Sequence, residues 1–122
     1  MNSWRVEDFI TYLYHIAADA DLTTDDVEIA SSKIKISEIL KTYFPGIDFR
    51  YDECMSNIRN TKDVNIFNVK EVVTTLAKKF HFSADLKTDI VSDLHDVVRS
   101  DELVTSGEHE AVNYIRMLLK NA

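Results

Sequence analysis

Carboxylate oxygens a few residues apart in a loop are the groups from which hard divalent-cation sites are built, and this sequence writes such a loop twice. Ala18-Asp19-Ala20-Asp21-Leu22-Thr23-Thr24-Asp25-Asp26 aligns with Ser100-Asp101-Glu102-Leu103-Val104-Thr105-Ser106-Gly107-Glu108 at one constant offset. Each copy runs from a small residue and an aspartate to an aliphatic residue three positions on. A threonine comes next, and a carboxylate follows three residues later. With Glu28 and Glu110 just beyond them, the two stretches hold nine of the 21 acidic residues. Carboxylates about 4 Å apart repel by roughly 1 kcal/mol per pair even in water, so two such loops brought together need a compensating positive charge. Oxygen ligands without a cysteine cluster point to Ca2+ or Mg2+ rather than to structural zinc. The candidate ligands are Asp19, Asp21, Asp26, Asp101, Glu102 and Glu108.

A plainer reading of the same residues stays open. Thr105-x-x-Glu108 is a capping box and Thr23-x-x-Asp26 a weaker one, and acidic residues in a first turn complement the helix dipole. Asp19 and Asp101 do not fit that account, because they fall where the preceding helices end and the dipole disfavours negative charge. An EF-hand fails by position. Counting from Asp19, the sixth residue is Thr24 where glycine is needed, and the twelfth is Ala30 where a bidentate glutamate should sit.

The elements that must hold these loops read as helices. Val6, Phe9, Ile10, Leu13, Ile16 and Ala17 recur at three- and four-residue spacing, which predicts a first helix over about 4–18 with Ser3 as cap. A second, carried by Val27, Ala30, Ile34, Ile36, Ile39, Leu40, Tyr43 and Phe44, must stop at Pro45-Gly46. A short third helix is expected over 50–59 and a fourth from Asp63 to Phe80. Ser83 caps a fifth whose stripe runs from Leu86 to Val98, and a sixth follows Thr105. Two glycines and one proline supply few turns for a many-stranded sheet. The fold class is therefore all-α: one compact domain over 1–122, of about six helices, with a duplicated helix-acidic loop-helix hairpin.

Composition narrows the function. The net charge is −7, yet residues 33–87 carry ten of the 14 basic residues against seven acidic ones, so the ends are acidic and the middle mildly basic. Acidic loops repel phosphates, which disfavours nucleic acid as their partner, so none is expected, and favours cations or a basic protein surface. The lysines of the middle, Lys33, Lys35, Lys41, Lys78 and Lys79, read as solvated helix faces. The start lacks a signal-peptide pattern and no apolar run approaches a membrane span, so a cytoplasmic protein is expected. Cys54 reads as a plain thiol. His15, His81, His95 and His109 are scattered, with His15 one helical turn before Asp19. No Ser-His-Asp order, phosphate loop or Cys-x-x-Cys pair is present, and the chain is not expected to be an enzyme. Trp4, Tyr12 and Tyr14 are expected in the core or at its rim; exposed, they would mark a protein-binding patch.

The two loops resemble the Ala-Asp-Gly-x-(Ile/Val)-x-x-x-Glu pattern of the TerB-like family, associated with tellurite resistance and stress-response operons. The resemblance spans nearly the whole chain in helix order, with its motifs confined to the loops. Ala20 and Glu102 stand where that pattern has glycine, and Asp26 where it has glutamate. The resemblance implies that Asp19, Asp26, Asp101 and Glu108 gather into one acidic, cation-binding surface. It also implies a non-enzymatic module working with a protein partner that is membrane-associated or part of a stress response. Tellurite is itself an oxyanion that an acidic cluster repels, so direct tellurite binding is not expected. The expected function is a non-catalytic, divalent-cation-binding module of a bacterial stress or tellurite-resistance system. The alternative is an interaction module that docks its acidic face on a basic partner without metal.

Overall fold

The computed structural model describes residues 4–18, 26–61, 69–98 and 106–121. Ser3, both acidic loops and the stretch 62–68 across which the fourth helix is expected to start lie outside the described residues. Six helices follow in order, α1 (Val6–Ala18), α2 (Asp26–Tyr43), α3 (Tyr51–Arg59), α4 (Val69–Lys79), α5 (Ala84–Val98) and α6 (Ser106–Lys120). No strand occurs among the described residues, so the all-α expectation holds. Within those residues no helix is long and apolar enough to cross a membrane.

The first helix is the spine. Phe9, Ile10, Tyr12, Leu13, Tyr14 and Ala17 point around most of its circumference, and all are buried. Glu7, Asp8 and Thr11 are buried as well, so the helix is covered on nearly every side, and α1 packs against α2, α3, α5 and α6. Burying each large side chain contributes about 1.5–3 kcal/mol. Trp4, Tyr12 and Tyr14 therefore belong to the core and form no exposed patch. Trp4 and Tyr12 meet edge to face with centroids 5.2 Å apart.

Local chemistry sets the helix ends. At the start of α1, Asp8 Oδ2 accepts the Arg5 backbone N–H at 2.9 Å, while the Arg5 carbonyl accepts from the N–H groups of Asp8 and Phe9. This is the reach-back half of a capping box, made by aspartate. Tyr43 ends α2 ahead of Pro45-Gly46, where Gly46 adopts φ 95°, a backbone that favours glycine. The expected stripe of α2 is corrected at two described positions, Ala30 and Ile34, both exposed. Ser32, Ile36, Ile39 and Leu40 are buried, whereas Ile34 is 61% exposed. At about 100° per residue, Ile34 points away from the face that Ile36 shares with Leu40. Ser83 does cap α5, its Oγ accepting the Leu86 N–H at 3.1 Å.

Three pairs of contacts fix the helix directions. Phe9 on α1 lies 5.3 Å, centroid to centroid, from Phe82 just before α5, and Tyr14 further along α1 donates to Asp93 further along α5. The two helices therefore run parallel. Phe44, at the end of α2, lies 6.3 Å from Phe82, while Lys35, earlier in α2, reaches Asp96, so α2 runs antiparallel to both. Likewise Trp4 meets Thr61 and Asp8 meets Asn57, which makes α3 antiparallel to α1.

Candidate functional site

None of the six residues assigned as ligands from the sequence has a described side chain. Asp19, Asp21, Asp101 and Glu102 lie outside the described residues altogether. Asp26 is the first residue of α2 and Glu108 the third of α6, described only as helical backbone. The structure does describe the helix ends from which the two loops depart. Because α1 and α5 are parallel, Ala18 and Val98 end at the same pole of the molecule. Counted from the Tyr14–Asp93 hydrogen bond, those ends lie about 6 and 7.5 Å further on, at 1.5 Å per residue. The aromatic cluster of Phe9, Phe44, Phe80 and Phe82 marks the opposite pole.

A polar seam holds that arrangement. Asp85, Asp89, Asp93 and Asp96 repeat every three or four residues along α5, so their side chains form one column on the α2-facing side. Tyr14 Oη, fully buried, donates to Asp93 Oδ2 at 2.9 Å. Lys35 Nζ sits 3.9 Å from Asp93 Oδ1 and 3.3 Å from Asp96 Oδ2, and Tyr43 Oη donates to Asp89. Burial raises the Asp93 carboxyl above the ordinary carboxylate range, and the Tyr14 hydrogen bond and Lys35 work against that rise. Burial also drives the Tyr14 phenol far up. Lys35 is thus half-buried and paired rather than part of a solvated helix face, whereas Lys33, Lys41, Lys78 and Lys79 are exposed.

The column was legible as spacing in the sequence, but nothing there told which carboxylates would face Lys35 and the two tyrosines. Those partners are contributed by helices 46 to 79 residues distant in sequence.

A second polar group sits between α1 and α3. Asp8, wholly buried, accepts from the Arg5 guanidinium at 3.4 Å and from Asn57 Nδ2 at 3.3 Å, and Arg5 also reaches Glu53 at 3.4 Å and Glu7 at 3.8 Å. Cys54 is buried against Asp8 and Thr11. Burial first, and then Asp8, push its thiol up to about 12, so the reactive thiolate is suppressed at neutral pH.

Neither family models nor curated proteins nor solved structures match this chain. What the molecule can do must be read from its own groups. Among the described residues, no three His, Cys, Asp or Glu side chains group as a metal site requires. His15 and His95 are half-buried and His81 is exposed, while the side chain of His109 lies outside the described residues. An open groove of about 580 Å³ lies between Lys33 and Ser37 of α2 and residues 49–53. It continues past Ser37 and Phe49 into a second hollow of about 400 Å³ lined by Leu40, Phe44 and Ile47. Lys33 Nζ stands 5.1 Å over the Tyr51 ring.

Proposed function

We propose that the chain is a non-catalytic acidic module that holds Ca2+ or Mg2+ between two carboxylate-bearing tips, as its resemblance to the TerB-like family implies. One observation carries the reading: α1 and α5 run parallel, tied by the Tyr14–Asp93 hydrogen bond, so Ala18 and Val98 end at one pole. Asp19 follows Ala18 directly in the sequence, and Asp101 comes three residues after Val98. Two loops leaving the same pole can share one ion, whereas loops at opposite poles could not. Oxygen ligands in that number favour a hard cation, whose charge offsets the carboxylate repulsion. The module would serve a bacterial stress or tellurite-resistance system through a protein partner, with no tellurite bound by the acidic tips themselves.

The test is thermal unfolding with and without excess Ca2+ or Mg2+. A cation that binds only the folded chain stabilises it by about 2.7 kcal/mol at one hundred times its dissociation constant. The midpoint is expected to rise in the native sequence, and the rise to vanish in Asp19→Ala and in Asp101→Ala. An unchanged midpoint refutes the metal reading.

The alternative is docking on a basic protein surface without metal. The exposed Asp85, Asp89 and Asp96 on α5 favour it, because they extend a negative face along that helix. Binding of a lysine-rich peptide that weakens with salt and persists in a chelator would establish it.

A further inference from the structure

We draw no further inference here: the strongest candidate, the open groove along α2 from Lys33 to Phe44 against residues 46–53, is lined by cations (Lys33, Lys41, Arg50) and carboxylates (Glu38, Asp52, Glu53) in equal number, and nothing in the structure shows what covers it.

Discussion

Asp8 carries its carboxylate where no water reaches it, and three donors make that tenable. The Arg5 backbone N–H, the Arg5 guanidinium and the Asn57 amide all point at its two oxygens. Removing the acceptor leaves the Arg5 backbone N–H and the Asn57 amide without it, while the partly exposed Arg5 guanidinium keeps Glu7 and Glu53, a loss of about 1–3 kcal/mol. Asp8→Ala is therefore expected to lower the urea midpoint by that equivalent with an unchanged m-value. Cys54 beside it gives a pH signature. Its folded thiol is raised from 9.0 to about 12, so the folded state holds the proton more tightly than the unfolded chain does. The associated stability is intact below pH 9 and declines as pH climbs toward 12. Tyr43, raised to about 12 by its hydrogen bond to Asp89, shares the window. Denaturant titrations from pH 8 to 11 should show this decline, with a shallower slope in Cys54→Ala. An identical slope would mean that the thiol does not contribute.

Among the helices, α4 ends in an unexpected way. The Phe82 N–H bonds the Ala77 carbonyl at 3.1 Å and the His81 N–H bonds that of Lys78 at 3.2 Å, with His81 at φ 55°. Those two bonds define a Schellman motif whose left-handed position normally belongs to glycine. Phe82 supplies the apolar contact that accompanies the motif, being buried in the core. An L-residue in that backbone costs roughly 1 kcal/mol, and the exposed His81 ring offers little in return. His81→Gly should accordingly raise the free energy of unfolding by up to about 1 kcal/mol, read by chemical denaturation; a loss would show that the imidazole itself holds the turn. The α1–α5 pairing has its own test. A hydrogen bond to a charged acceptor contributes about 1.5–3 kcal/mol. Tyr14→Phe and Asp93→Ala are each expected to destabilise, and the double variant by clearly less than their sum.

On the scale of the molecule, a covered α1 holds α2, α3, α5 and α6 around it. The parallel course of α1 and α5 is the property on which the proposed cation site depends. If one ion bridges both tips, losing either tip removes most of the stabilisation and losing both removes little more. Asp19→Ala, Asp101→Ala and their combination should then give nearly equal midpoints in excess Ca2+. Two independent additive losses would place a separate ion on each loop.

Period and punctuation in the sequence were enough to foresee six helices. Apolar residues at three- and four-residue spacing, the Pro45-Gly46 stop and the Ser83 cap are local signals, and local backbone chemistry acts on them directly. The same locality explains what went astray. Ile34 looked like core because apolar character shows without its rotational register. The end of α4 was foreseen to within one residue, at Phe80, but with no glycine there nothing local announced that His81 would take the left-handed position. The acidic repeat, too, was visible in the residues alone. Which carboxylates would meet Lys35, Tyr14 and Tyr43, and that the helices preceding the two loops end at one pole, only the tertiary structure decided. The reason is physical: helix directions and cross-helix partners are set by which buried faces close against one another, and those contacts join residues far apart in the chain.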